Sequence, residues 1–157
     1  MIRIVYILTA IAALWVAVAS CTGGQRDYSR WTDLPARGWA YGDTVSLLPI
    51  DTALHDNDSL VRRPLRFGLT HSNDYPYSNL WLEVTYHGEE SSYRDTLNVS
   101  LADVYGRWLG SGFGANYQHE IVLNPRADID LTRPVTVRHI MRVDTLRGLD
   151  RIGVSVR

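Results

Sequence analysis

The chain has 157 residues, a formal net charge of -1, 45% hydrophobic and 21% charged residues. That is the composition of one folded globular domain, and it lacks the basic excess that a nucleic-acid partner or an anionic membrane surface would call for. All 16 basic residues are arginine and none cluster, while the single cysteine, Cys21, excludes an internal disulfide and a multi-thiolate metal site.

The first predicted element is a targeting segment. Arg3 supplies a positive start, Ile4 to Ala17 is apolar apart from Thr9, and Val18-Ala19-Ser20 leads into Cys21. Small residues before the scissile bond suit the tight pocket of a signal peptidase, and a cysteine there offers a thiol to a diacylglyceryl group. The segment resembles a bacterial lipobox, and the apolar run is short for a membrane span of about 20 residues. Residues 1–20 are therefore expected to be a cleaved lipoprotein signal peptide, with Cys21 as the lipidation site. The covalent lipid is the only non-protein group expected, with no cofactor. Each buried methylene contributes about 0.8 kcal/mol, so several acyl chains hold the mature protein to the membrane without spanning it. Residues 21–27, with Thr22-Gly23-Gly24, read as a flexible tether. No acidic cluster follows Cys21, which points to the periplasmic face of the outer membrane.

Residues 28–157 form the expected domain, and its apolar period is two. Thr44 to Leu48 opens the series, and Asp51 to Arg63 reads as a long exposed loop. Leu65, Phe67 and Leu69 alternate with polar or small residues, as do Leu80, Leu82, Val84 and Tyr86. Tyr93, Asp95, Leu97, Val99 and Leu101 share a parity, as do Val135, Val137, His139 and Met141, then Ile152, Val154 and Val156. Gln118 to Leu123 adds another run. Turn chemistry at Tyr41-Gly42-Asp43, His71 to Ser78, His87-Gly88-Glu89, Asn124-Pro125 and Arg133-Pro134 separates these segments. Strands apolar on one face need a second layer over that face only. The fold class is thus all-β, a two-sheet antiparallel β-sandwich of about seven to eight strands. Leu101, Val104, Tyr105, Trp108 and Leu109 fall at helical spacing behind Ser100 as N-cap, so one or two helical turns are expected there. Tyr75-Pro76 is a candidate for a cis bond.

Little in the chain carries chemistry. His55, His71, His87, His119 and His139 stand apart in sequence, with no spaced pair to preorganise a metal, and His119 and Glu120 should face opposite sides of a strand. No metal site is expected. Gly110-Ser111-Gly112 lacks the spacing of a nucleophile elbow and the ending of a phosphate loop. Asp74, Asp95, Asp103 and Glu120 offer carboxylates, though any sandwich of this size does, and no catalytic residue is assigned. Aromatic residues are more telling: Trp39, Trp81, Trp108, Tyr75, Tyr77, Tyr105 and Tyr117 gather in or beside the turns. They either close the ends of the sandwich or anchor an interface. Five acidic-hydroxyl-aliphatic triplets, centred on Thr44, Thr52, Ser59, Thr96 and Thr145, match a short O-glycosylation pattern, with Thr52 and Ser59 favoured as loop residues.

The run His71-Ser72-Asn73-Asp74-Tyr75-Pro76-Tyr77-Ser78-Asn79-Leu80-Trp81-Leu82 resembles the gliding-motility-associated lipoprotein GldH family of Bacteroidota. Asp95-Thr96-Leu97, Leu101-Ala102-Asp103 and Gly106-Arg107-Trp108-Leu109-Gly110-Ser111-Gly112 agree with it, as does Met141-Arg142 with Asp144, Leu146, Gly148 and Val154. Ser111 departs from it, standing where lysine is expected. The resemblance covers roughly residues 28–157 and implies a periplasm-facing, non-enzymatic lipoprotein that supports gliding and associated secretion machinery. The expected partners are the membrane, through the lipid, and proteins of an envelope complex. The alternative is a glycan of the cell envelope, bound or, as a weaker variant, hydrolysed. The loops at Asn73 to Asn79 and Gly106 to Gly114 are expected to lie together as the partner-binding surface, through Asp74, Tyr75, Tyr77, Trp81, Asp103 and Trp108.

Overall fold

The computed structural model describes residues 27–49 and 59–157, without the side chain of Phe113. The expected signal peptide, Cys21, nearly all of the expected tether and Thr52 lie outside these residues. Eleven strands and no helix occur among the described residues. In chain order they are β1 (Tyr28–Asp33), β2 (Trp39–Ala40), β3 (Val45–Leu47), β4 (Leu60–Ser72), β5 (Asn79–His87) and β6 (Ser92–Ser100). Then follow β7 (Ser111–Phe113), β8 (Asn116–Asp130), β9 (Val135–His139), β10 (Thr145–Leu146) and β11 (Leu149–Val156).

One sheet has the order β1-β11-β4-β8-β7 and the other β3-β9-β5-β6, with β10 and β2 forming a short separate ladder. Every pairing is antiparallel. Alternation decides the core. Leu65, Phe67 and Leu69 of β4, Ile152, Val154 and Val156 of β11, and Ala127 and Ile129 of β8 are buried from one sheet. Leu80, Leu82, Val84 and Tyr86 of β5, Val99 of β6, Val135 and Val137 of β9, and Leu47 of β3 meet them from the other. The fold class read from the sequence is the one observed, with additional short strands at the ends and edges.

Three sequence expectations are corrected. Asn124-Pro125 is no turn but lies inside β8, where the register with β4 slips between Arg63 and Leu65 and again between Leu65 and Arg66. Pro64 and Pro125 have no N–H for a ladder, so the irregularity falls where the prolines stand. The two slips together shift the register by two residues, so odd positions of β8 face the core on both sides of the break. Leu60 to Arg63 belongs to β4, paired with Ala127 to Asp130, rather than to an exposed loop. Ser59 is half-buried there, its carbonyl accepting from Leu131 N–H. The Tyr75-Pro76 bond is trans, since no cis peptide occurs among the described residues.

The strand β1 had no sequence expectation. It pairs with β11 so that Trp31 lies opposite Gly153, and Gly153 lies opposite Gly68 of β4. The indole spreads over both glycines on the outer face, where a Cβ on either would run into the ring. Arg151 stands 5.9 Å above that ring as a cation–π partner.

Candidate functional site

At one end of the sandwich β4 finishes in His71 and Ser72, and the chain turns through Asn73 to Ser78 before β5. Asn73 N–H donates to the carbonyl of Ala115 at the β7–β8 turn, 2.9 Å away. The carbonyl of Ser78 accepts from Leu101 N–H at 2.8 Å and Ala102 N–H at 3.0 Å. The Asn73 to Asn79 segment is thus bonded to residues flanking the Gly106 to Gly114 segment rather than to that segment itself, and at this rim Tyr75 of the first and Trp108 of the second both pack on His71.

Beneath this rim lies a pair that sequence spacing does not show. His71 and His119 come from neighbouring strands, with their Nε2 atoms 3.1 Å apart. His71 Nδ1 is 2.9 Å from the carbonyl of Ser72, which only accepts, so Nδ1 carries the proton. Its Nε2 is then the acceptor, and His119 Nε2–H is the donor. The two neutral rings form one directed chain ending on the backbone. Trp108 stands edge-on to His71 at 4.6 Å, Tyr117 stacks on it at 5.5 Å, and Tyr75 tilts against it at 5.9 Å. Burial in this aromatic box pushes the pKa of His71 down. His119 falls to about 4, first through burial and then through its proximity to His71. A signal for the pair existed: His71 continues the inward parity of Leu65, Phe67 and Leu69, and His119 shares a parity with Ile121 and Leu123.

The residues expected to bind a partner divide sharply. Tyr75 is only 2% exposed, its hydroxyl donating to the carbonyl of Asn79 at 2.9 Å and Tyr77 packed edge-on against it. Burial raises the Tyr75 pKa further above the ordinary tyrosine range. Gly148 makes this seat: it holds φ +79, and a Cβ there would lie 2.5 Å from Tyr75 N. Trp108 is half-buried on His71, and Tyr77 is half-buried beside the core. Trp81 is exposed on the outer face of β5, as alternation requires. Asp74 is exposed and caps nothing; its own N–H donates to Ser72 Oγ.

Asp103, by contrast, organises a whole turn. Its Oδ1 accepts from Tyr105 N–H and Arg107 N–H, both at 2.9 Å, and its Oδ2 accepts from Arg107 Nε at 2.8 Å. These hydrogen bonds, that of the Arg107 amide first, hold its carboxyl below the usual range. The backbone follows: Asp103 N–H donates to Arg107, Gly106 N–H to Asp103 and Leu109 N–H to Leu101, while Ala102 and Trp108 form an isolated bridge. The expected helical turns are therefore a miniature hairpin. Gly106 at φ +79 turns it back, a conformation that a continuing helix does not contain. Val104 and Tyr105, on the apolar stripe of the helical reading, are 92% and 81% exposed.

Elsewhere, His139 sits between Trp39 and Tyr41, its Nε2 3.1 Å from the carbonyl of Trp39, and burial lowers its pKa. The outer face of the four-stranded sheet carries a polar cleft lined by Thr44, Glu83, Thr85, Arg94, Thr136 and Arg138. Arg138 donates to both oxygens of Glu83, at 2.8 and 3.1 Å, and keeps that carboxyl below its ordinary pKa. No group of three or more His, Cys, Asp or Glu is placed to hold a metal among the described residues.

Fold and rim define a small antiparallel sandwich whose distinctive residues are spent on packing and on one ordered turn. Residues 26–156 match the GldH lipoprotein family, and the chain belongs to that family. It is thus a membrane-associated lipoprotein of the gliding-motility-associated kind, in a family not known to be enzymatic. No curated protein matches the chain. Among solved structures it is similar to PRD1 vertex protein P5, at 11% identity and a TM-score of 0.38, over 87% of this chain and 99% of that one.

Proposed function

We propose that this protein is a non-enzymatic scaffold of an envelope assembly, held to the outer membrane by lipid on Cys21 and facing the periplasm. Residues 1–20 are removed as the signal peptide, residues 21–27 tether the domain, and residues 28–157 are the sandwich. One observation carries this reading. The family blocks that begin at His71 and at Leu101 come together at one rim, where the most polar of their buried groups, His71, is engaged with Ser72 and His119. A rim built for rigidity suits presentation of a surface to protein partners. The test has two parts. Cys21→Ser should abolish lipoprotein processing and release the domain from membranes. Cross-linking of the native envelope followed by mass spectrometry should return a stable complex; normal membrane retention of the variant, or no protein complex, refutes the proposal.

A second reading draws on the outer face of the four-stranded sheet. Trp81, 40% exposed, shares that face with the Asn79–Asn98 hydrogen bond at 2.8 Å and the Glu83–Arg138 pair. An indole beside amide and charged groups suits stacking and hydrogen bonding to an envelope glycan. Titration of tryptophan fluorescence with peptidoglycan fragments separates the readings, since saturable quenching lost in Trp81→Ala would support the glycan.

A further inference from the structure

We infer that the free edge of β6 receives an extended segment of a different envelope protein, added to the four-stranded sheet as a fifth strand with an acidic side chain opposite Arg94. This deepens the scaffold reading and rests on it. The ladder defines the edge. β6 ends the order β3-β9-β5-β6 and pairs with β5 from Asn79↔Ser100 to His87↔Ser92 without a register shift. Beyond one end of that ladder Gly88 N–H donates to the Ser91 carbonyl, and beyond the other Leu101 N–H donates to the Ser78 carbonyl, both at 2.8 Å. Bonded and non-bonded pairs alternate between these two, so Tyr93, Asp95, Leu97 and Val99 spend their backbone groups on β5. The backbone groups of Ser92, Arg94, Thr96, Asn98 and Ser100 point the other way, and no strand pairs with them among the described residues. Native edge strands are ordinarily short, broken or covered. Here β3 and β7 have three residues each and β1 has six, and the part of β8 that β7 leaves open carries Pro125. β6 runs for nine residues with neither proline nor bulge.

The occupant follows from what this edge offers. Outward N–H and C=O groups recur at every second residue, ~6.8 Å apart, a spacing that an extended polypeptide matches group for group. The side chains set its chemistry. On the outer face Arg138 takes both oxygens of Glu83, which leaves Arg94 at 3.8 Å from that carboxylate, beyond hydrogen-bond distance. Arg94 is thus the surplus cation of the edge, and a carboxylate directly across from it gains a cross-strand pair. On the inner face the sandwich is open along this side. Leu97 of β6 is only half-buried, as are Ile121 and Leu123 of β8, the strand that β6 faces across the layers. Leu80, Leu82 and Val84 of the neighbouring β5 are sealed completely. An apolar side chain across from Leu97 covers that seam. A second copy of β6 lacks the pattern: its outer face carries Ser92, Arg94, Thr96, Asn98 and Ser100, with no carboxylate, while Asp95 has the inward parity of Leu97. The occupant is therefore a segment of a different chain, alternating apolar with polar or acidic residues.

The test uses the full-length, lipidated chain in its native envelope, with the photo-cross-linking residue p-benzoylphenylalanine at position 98. The control carries it at position 133, in an exposed turn. Position 98 should give an adduct that position 133 does not, mapped by mass spectrometry to one segment of a different protein with the alternating, acidic pattern. Thr96→Pro removes an outward N–H that β5 does not use, so thermal melts should stay near the parent while the adduct falls about tenfold or more. Thr96→Val keeps the N–H and should keep the adduct, whereas Arg94→Glu should lower it. Amide exchange of the unaltered chain decides the matter even where Thr96→Pro unfolds. The amides of Arg94, Thr96 and Asn98 should exchange about tenfold more slowly, or less, in the co-purified complex than in the detergent-extracted lipoprotein alone. An adduct indifferent to a folded Thr96→Pro or to Arg94→Glu, one lost equally in Thr96→Val, or adducts with lipid or a second copy of this chain overturn the strand addition. If the wild-type chain co-purifies a complex in which those three amides exchange as freely as before, the edge proposal fails while the scaffold reading stands. If the wild-type chain co-purifies no protein, the scaffold reading itself fails and takes the edge proposal with it.

Discussion

Tyr75 and Tyr105 belong to the same rim and have opposite fates. Tyr75 follows an exposed aspartate, precedes a proline and sits in a polar turn, yet it is 2% exposed. Tyr105 falls on a helical apolar stripe, yet it is 81% exposed. The difference lies in what the backbone finds to bond with. Around Tyr75, Gly148 lets another segment approach to contact, and the phenol reaches the Asn79 carbonyl. Around Tyr105, Asp103 takes up the turn amides locally, so nothing draws the ring inward. Aromatic content marks a rim as special. Hydrogen-bond partners decide which aromatics are structure and which are surface.

The strongest way to break this comparison is Tyr75→Ala. Removing a fully buried aromatic should cost about 3–5 kcal/mol in denaturant unfolding, and a cost near zero would mean the rim is not packed as described. Leu82→Ala tests the core below it. A loss of about 2–5 kcal/mol is expected there, and Trp81→Ala on the solvated face of the same strand should cost less. The opposite ranking in parallel melts would place the wrong face of β5 inside.

The histidine pair sharpens the comparison through pH. Burial first, and then the neighbouring His71, lower the His119 pKa from the ordinary 6.5 to about 4, and burial shifts His71 in the same direction. Between those values the unfolded chain binds more protons than the folded one, so stability rises with pH. It should be present in full above about pH 6.5 and fall progressively toward pH 4. Denaturant midpoints across that range measure the slope, and His119→Gln should flatten it. A slope unchanged in that variant would place the titrating group elsewhere.

Tyr105→Ser should have the smallest effect. Its stability change should stay within about 0.5 kcal/mol, because the ring is 81% exposed and its one ring contact is the solvent-exposed Arg107 guanidinium. A loss approaching that of Tyr75→Ala would show that the ring is packed.

Much of the architecture was written in the local sequence. Strict alternation through Asn79 to His87 sets the inward face of β5 without reference to any neighbour, because a strand's side chains have a period of two. The motifs from His71 to Leu82 and Asp95 to Gly112 likewise pointed to the family that the chain proves to belong to. Tertiary structure decided what depends on distant partners. The Asn124-Pro125 pair reads as a turn, and only the facing Pro64 region of β4 makes it a tolerated break inside a strand. Leu101 to Leu109 has a helical period, but the Asp103 carboxylate and Gly106 close a hairpin there, and hydrogen bonds to Ser78 hold it. His71 and His119 stand 48 positions apart, and only the β4–β8 register brings their nitrogens together. Periodicity reports which face of a segment is apolar. What that face meets, and which polar atoms it must satisfy, is set by strands arriving from elsewhere in the chain.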